Sequence, residues 1–532
     1  MYYKGLYLKA LLSVISIGAI ACSAEKNESK ADEKTKIPEI VVYQKSSVPI
    51  DSLSIVNFFN TYPNLKKHES EVMKLYQKHN FTQVWHDSEG TVEFAHSLYT
   101  KARNLDTEGV KYDFPYDIQI TAIFDDQIEN ALSQADTDLM ITNLYMYCAD
   151  KVVTGISRET TESLEWLLPR KEVSYASLLD STLLHPGAIQ NVPKVMIDQY
   201  YKLRDVLQQY RMIEKNGGWN VIDIDPKLKA YKIGDTATAI TQIKERLLVT
   251  GELKENDKTN KFDAPLLKAV NKFQKKNGKN ISESITPELI KEMNITVSER
   301  IKTIVVNMER CRWISPTLRD AREYVMVNIP SYRLTFIRDK KVALTSPVVV
   351  GKAMTKTVIF SGNMTNIVFS PYWNVPTSII NKEIKPGMAR NSNYLAQHNM
   401  EWNGGRVRQK PGKRNSLGLV KFIFPNSYSI YLHDTPSKSL FEKEDRAFSH
   451  GCVRVGKPRD LAISILAEDP NWTTEKIDAA MNKGVEYSYR LKNSIPVYVG
   501  YFTAWVNEEG EIQFFDDVYK RDNRLAELIY TE

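Results

Sequence analysis

Residues 429–455 read SIYLHDTPSKSLFEKEDRAFSHGCVRV, and the architecture of the C-terminal half turns on how this stretch is laid out. In its first part Ile430 and Leu432 alternate with Tyr431 and His433, the period of a half-buried strand that sends its apolar side chains one way and Tyr431 and His433 the other. Asp434-Thr435-Pro436 turns the chain at once, so His433 is expected to face outward at a strand rim. The second part, Ser449-His450-Gly451-Cys452-Val453-Arg454-Val455, brings its cysteine 452 − 433 = 19 residues later. That separation suits two strands joined by a loop. A helix is expected from about Pro458, with Leu461, Ala462, Ile465 and Leu466 as its buried stripe.

A cysteine preceded by glycine and flanked by His450 and Arg454 is an unusual structural cysteine. Gly451 lets the backbone approach a substrate and present its N–H groups. His450, Arg454 and the positive end of the following helix are expected to favour a thiolate, the nucleophilic form. A thiol nucleophile needs a base within hydrogen-bond reach. His433 qualifies by its strand-rim position, and His450, which would share a face with Cys452, either serves that purpose or orders the loop.

Upstream of this pair, Val325, Val327 and Ile329, then Leu334 and Phe336, then residues 342–351 and 366–376, read as strands separated by Pro and Gly, which marks a β-rich domain. Residues 381–418 lose the alternation and are rich in Asn, Gly, Arg and Lys, as expected of a lid or binding loop. Arg406, Arg408, Lys410, Lys413 and Arg414 in it either attract acidic groups or are simply solvated. Residues 226–297 carry three short helical patterns: Ile240, Ile243 and Leu247 stopping at Gly251; Leu266, Val270 and Phe273 from Asp263 to Gly278; and a third opening at Thr286-Pro287. Residues 51–225 are mostly helical. One stripe there runs Ile141, Leu144, Tyr145, Cys148, Val152 and closes at Gly155. His68, His79, His86 and His96 lack the spacing of a paired metal site, and surface or packing roles are expected.

Residues 1–22 form a lysine-bearing, apolar export signal ending in Ala19-Ile20-Ala21-Cys22. Cys22 is either a lipidation site or incidental. Residues 23–50 begin as a charged tether. The chain of 532 residues allows about three folded units, and its net charge of +6 is too mild to argue for nucleic acid. Apart from Cys22, the cysteines Cys148, Cys311 and Cys452 form no visible disulfide framework, and Cys148 and Cys311 read as core.

HDTP followed by SHGCVR resembles the signature of the L,D-transpeptidases, peptidoglycan cross-linking enzymes with a catalytic cysteine. NMERCRW (307–313), VNIP (327–330), VVVGK (348–352), SPYWNVP (370–376), RQKPGKRNSLG (408–418) and VKFIFPN (420–426) are similar to the large periplasmic subfamily. FDAPLLKAVNKFQKKNG resembles a peptidoglycan-binding repeat, although Asn280-Ile281-Ser282 replaces that family's glycine turn.

The resemblance implies a multidomain α+β protein: a helical scaffold (51–225), a peptidoglycan-binding-like bundle (226–297), a β-rich L,D-transpeptidase domain (298–500) with a lid insertion (381–418), and an extension (501–532) packing on the scaffold or the catalytic domain. It implies Cys452 as nucleophile and His433 as proton acceptor and donor, with His450, Gly451, Arg454 and Asp434 in support. Trp373 and Tyr431 are either wall contacts or core aromatics. The expected reaction forms 3→3 cross-links through a thioester with release of D-alanine, and needs no metal or organic cofactor. Hydrolysis at the same site, or a non-catalytic wall-binding lipoprotein, are the alternatives. Expected partners are peptidoglycan stem peptides, wall-synthesis enzymes and, through a lipid on Cys22, a membrane facing the periplasm.

Overall fold

The computed structural model describes residues 48–531 apart from 88–89, 126–127, 130–131, 185–194, 316–317 and 319. The leader, Cys22 and nearly all of the tether lie outside the described residues. Residues 45–532 form one compact unit. Among the described residues no helix is long and apolar enough to cross a membrane.

The N-terminal part is built around helix α1 (Gln134–Ala149), which Ser133 caps by accepting the Asp136 N–H. This helix is buried nearly all round. Met140, Met146 and Tyr147 join Ile141 and Leu144 inside, whereas Tyr145, Cys148 and Val152 of the expected stripe are only half-buried. The extra buried face packs on a loop that Asp138 pins: its carboxylate accepts from Tyr76 Oη (2.5 Å), Val84 N (3.1 Å) and Trp85 N (2.9 Å), and meets His86 Nδ1 (2.9 Å). His79 Nε2 likewise meets Asp180 (2.9 Å). Helix α2 (Asp198–Lys215) closes this part.

The bundle contains α3 (Thr238–Val249), α4 (Ala264–Lys276) and α5 (Pro287–Met293) around a separate core of Ile240, Ile243, Leu247, Leu266, Val270, Phe273 and Ile290. Asp263 and Thr286 cap α4 and α5 by accepting the Leu266 and Leu289 N–H groups. Helix α6 (Val297–Arg312) follows directly, opened by a reciprocal Thr296–Glu299 capping box.

The C-terminal half is a sheet that closes on itself. Strands β1 (Glu323–Asn328), β2 (Arg333–Arg338), β3 (Lys341–Gly351), β4 (Ile359–Phe369), β5 (Val420–Ile423), β6 (Leu432–His433), β7 (Val453–Val455) and β8 (Tyr487–Gly500) run in the order β5-β6-β7-β3-β2-β1-β8-β4. Strand β4 pairs back onto β5 with Val420 opposite Phe369. The alternating Val325, Val327, Leu334 and Phe336 fill the interior, and helix α7 (Pro458–Leu466) buries Leu461, Ala462, Ile465 and Leu466 against it. The hairpin β9 (Ala504–Val506) and β10 (Ile512–Phe514) and helix α8 (Asp522–Thr531) complete the chain. The architecture is a mixed α+β multidomain one, helical first and β-rich last.

Residues 381–418 are more regular than their composition suggests. Met400–Asn403 and Arg406–Gln409 are strands, and with Trp373–Asn374 they make a three-stranded sheet. Val375, Ile380, Ile384, Met400 and Val407 form its own small core. The excursion therefore begins at about Trp373.

Candidate active site

The register of β6 and β7 assembles the site. They run parallel, with Leu432 opposite Val453 and His433 opposite Arg454, and the Val453 N–H donates to the Tyr431 carbonyl (3.2 Å). Tyr431 thus stands beside Cys452 and His433 beside Arg454, all four on the face opposite Leu432 and Val453. Cys452 and His433 are diagonal neighbours on that face.

His433 is not at an open rim. It is only 5% exposed, because β5 pairs on its other side with Lys421 opposite His433. Burial holds its pKa down to about 4, and the nearby Arg454 guanidinium acts in the same direction. The ring is therefore neutral near pH 7. Its Nδ1 hydrogen-bonds the Asp434 carbonyl, which can only accept, so Nδ1 carries the proton and Nε2 keeps its lone pair. Asp434 is held in turn: its carboxylate accepts from Leu419 N (2.8 Å), Thr435 N (2.7 Å) and Lys438 Nζ (2.5 Å).

The cysteine departs from expectation. Burial pushes the Cys452 thiol above its ordinary pKa, and the Tyr431 backbone, the Tyr431 hydroxyl and Arg454 only partly offset this. The resting group is a thiol, with Sγ donating to the Ser429 carbonyl (3.6 Å). The Tyr431 hydroxyl favours the charged form of the sulfur, and Trp373 acts on Tyr431 in turn. Both aromatics are half-buried and link the excursion at Trp373 to Cys452.

His450 points away from this cluster. Its side chain is 49% exposed and its Nε2 lies 3.8 Å from Glu383 of the excursion. The Gly451 N–H is also committed, donating to Ser449 Oγ (3.1 Å), while that hydroxyl donates to the Cys452 carbonyl (2.6 Å). The backbone N–H of Cys452 has no partner among the described residues. Gly451 adopts φ +117°, a conformation open to glycine but rarely to other residues, and its carbonyl accepts from Thr357 Oγ1 (2.8 Å).

Ser449, Thr357 and Ser429 thus join the site, and sequence reasoning passed over all three as site residues. Ser449 lies inside the SHGC string and Ser429 opens the quoted stretch, so position could have flagged them, whereas Thr357 carries no local signal. Of Arg406, Arg408, Lys410, Lys413 and Arg414, Arg408 (2.7 Å) and Lys410 (3.0 Å) are paired to Glu401. Cys311 is fully buried, and burial holds its thiol and that of Cys148, at about 12, protonated.

Residues 322–475 match the family model YkuD, the L,D-transpeptidase catalytic domain, and residues 70–207 match the Scaffold domain model. A curated Haemophilus influenzae protein named "Putative L,D-transpeptidase" is 35% identical over 261 residues, covering 45% of this chain and 51% of that protein. The chain spans about half the length of the curated relative it matches. Among solved structures, an L,D-transpeptidase from Mycobacterium smegmatis is 13% identical over 34% of this chain and 59% of its own, with a TM-score of 0.20. One from Xylanimonas cellulosilytica is 12% identical over 52% and 100%, with a TM-score of 0.17.

Proposed function

We propose that the chain cross-links peptidoglycan, with Cys452 as nucleophile and His433 as its base, a reading supported by the match of residues 322–475 to the L,D-transpeptidase catalytic domain model. The observation that carries this reading is the parallel register that sets Tyr431, Cys452, His433 and Arg454 on one face, with the His433 lone pair on Nε2.

The proton on Sγ passes to His433 Nε2 as the sulfur attacks the carbonyl carbon of the third residue of a tetrapeptide stem. The resulting oxyanion is met by the unpaired Cys452 N–H and by the Tyr431 hydroxyl; one such donor contributes about 2.7–4 kcal/mol. When the C–N bond to the terminal D-alanine breaks, the leaving nitrogen takes the proton from Nε2, and a thioester remains. An amine from a second stem then loses a proton to Nε2 and attacks the thioester, giving a 3→3 cross-link and restoring the thiol. Water in place of the amine would release a tripeptide. Residues 1–22 and Cys22 would deliver the enzyme to the periplasm on a lipid anchor, among other wall-synthesis enzymes.

The test is incubation of the protein with disaccharide-tetrapeptides and mass spectrometry of the products. Cross-linked dimers are expected, absent with Cys452→Ala and reduced at least 100-fold with His433→Gln. Undiminished dimers with Cys452→Ala would refute the nucleophile assignment. Tripeptide monomers alone would make the enzyme a hydrolase.

A further inference from the structure

One cation at the site has no counterpart. Arg454 follows Cys452 by two residues, on the face that also carries Tyr431 and His433, and its strand neighbours are His433 on one side and Val349 on the other. Its guanidinium bears on both reacting groups: it favours the charged sulfur of Cys452 and disfavours the protonated ring of His433. Among the described residues no hydrogen bond or ion pair reaches it, while the residue is half-buried and its nitrogens are open to solvent. The carboxylates of the flanking segments are held elsewhere. Asp434 accepts from Leu419 N, Thr435 N and Lys438 Nζ. Glu486 accepts from Tyr372 N (2.7 Å) and lies 3.8 Å from Lys421, and Glu383 lies 3.8 Å from His450. Lys421, the cation on the far side of His433, thus has a partner among the described residues, and Arg454 has none.

A guanidinium presents a planar fork of donors that matches a carboxylate. We propose that Arg454 binds the free α-carboxylate of the terminal D-alanine of the donor stem, so that the site reads the end of the chain it cuts. The proposal rests on the cross-linking reading above and adds how the donor is selected. Lengths agree with it. Residues two apart on a strand have Cα atoms about 6.6 Å apart. In the stem, the scissile carbonyl carbon and the terminal carboxylate carbon belong to successive residues, and each residue of extended chain spans about 3.5 Å. A donor laid along β7 with its scissile carbonyl at Cys452 Sγ therefore carries its carboxylate toward Arg454, leaving a gap that the long arginine side chain closes. A stem one residue longer would set an uncharged amide there and move its carboxylate about 3.5 Å further on. Carboxylates carried by earlier residues of the stem lie on the other side of the scissile carbonyl.

The test uses the full-length Cys452→Ala protein, which is expected to bind without turnover, and two tetrapeptide stems that differ only in ending as a free acid or as a primary amide, titrated by calorimetry. The acid is expected to bind at least tenfold more tightly, because the amide removes a charged hydrogen-bond acceptor. With Arg454→Gln added, the ratio of the two affinities should fall to about one, and with Arg454→Lys, which keeps the charge without the fork, to an intermediate value. A role confined to the electrostatics of Cys452 and His433 would change both affinities alike and leave their ratio where it was. Equal affinity for acid and amide before Arg454 is changed, a ratio that survives Arg454→Gln, or absence of saturable binding would overturn the proposal. Should Arg454→Gln fail to fold, an undiminished ratio in Arg454→Lys overturns it. Turnover is read separately in the unmodified protein: an acid preference that Arg454→Gln abolishes, with neither dimers nor tripeptides formed, would keep this assignment and remove the cross-linking and hydrolysis readings alone.

Discussion

At the residue scale, the site works with neutral partners. His433 has an ordinary pKa of 6.5 that burial brings to about 4, so between those values the unfolded chain binds a proton that the folded protein refuses. Folding stability therefore falls as the pH drops through this window, by about 3 kcal/mol in all, and is untouched by this group above it. Compared by urea denaturation at pH 7 and 4.5, His433→Gln is expected to lose less stability than the unmodified protein, the difference being about 2–3 kcal/mol. Identical slopes would mean that His433 does not titrate in this way; His68, also brought to about 4 by burial, cancels because both proteins carry it. The thiol invites a second test. The Tyr431 hydroxyl favours the Cys452 thiolate against burial. One hydrogen bond to a charged group contributes about 1.5–3 kcal/mol, so Tyr431→Phe should raise the thiol pKa by about one to two units. The pH profile of Cys452 alkylation by iodoacetamide would move upward by that amount, and an unmoved profile would remove Tyr431 from this role.

At the scale of elements, a pair of two- and three-residue strands fixes the chemistry, and neighbours fix the strands. Gly418 adopts φ +62°, and a Cβ there would lie 2.3 Å from the Asp434 carboxylate. Gly418→Ala must therefore displace Asp434, whose carbonyl orients His433. It should cost about 1–3 kcal/mol of stability and most of the turnover, both measurable on one sample. Normal turnover would show that the Asp434 turn is not needed to aim the imidazole. Thr357 bridges the Gly351 N–H and the Gly451 carbonyl, each at 2.8 Å. Thr357→Val should lower turnover more than substrate affinity, because the Cys452 backbone loses its brace while the binding surfaces stay. Elements of this size were legible where periodicity and caps agreed: Asp263 and Thr286 mark helix starts, and the Ile430–His433 alternation gives the strand and its faces. Burial of His433 was not legible, because it depends on β5 arriving on the other side, a pairing no local pattern encodes. The thiolate expectation failed for the same reason. Sequence shows the cations near Cys452 but not the desolvation that outweighs them.

At the scale of the molecule, the string NMERCRW reads in sequence only as part of a resemblance, yet it is the joint of the whole chain. Asn307 bonds both the backbone and the hydroxyl of Thr503, and Arg310 pairs with Asp522 at 2.8 Å, so α6 holds the C-terminal segment. Glu309 accepts from Ile156 N (2.7 Å) and Trp313 Nε1 (2.8 Å) and pairs with Arg312 at 2.8 Å, and Arg312 donates to the carbonyls of Val152 and Glu108. The same helix therefore grips the helical part with one set of side chains and the C-terminal segment with another. The bundle is tied in as well: the Asn280 N–H donates to Glu444, in the loop between His433 and Cys452, and Lys279 pairs with Asp516 at 2.8 Å. The turn at Asn280 thus docks the bundle on the loop between His433 and Cys452. Because Glu309 and Arg312 are both buried, removing one charge leaves the other without its partner, at a cost of about 3–5 kcal/mol. Glu309→Gln should lower the unfolding free energy measured in urea by that much. Since the helix that carries Glu309 also holds the C-terminal segment through Asn307 and Arg310, tryptophan fluorescence and far-ultraviolet circular dichroism should move in step. If the two probes separated, with the sheet surviving at its original midpoint, α6 would be a tether between independent domains instead of the member through which they fold together.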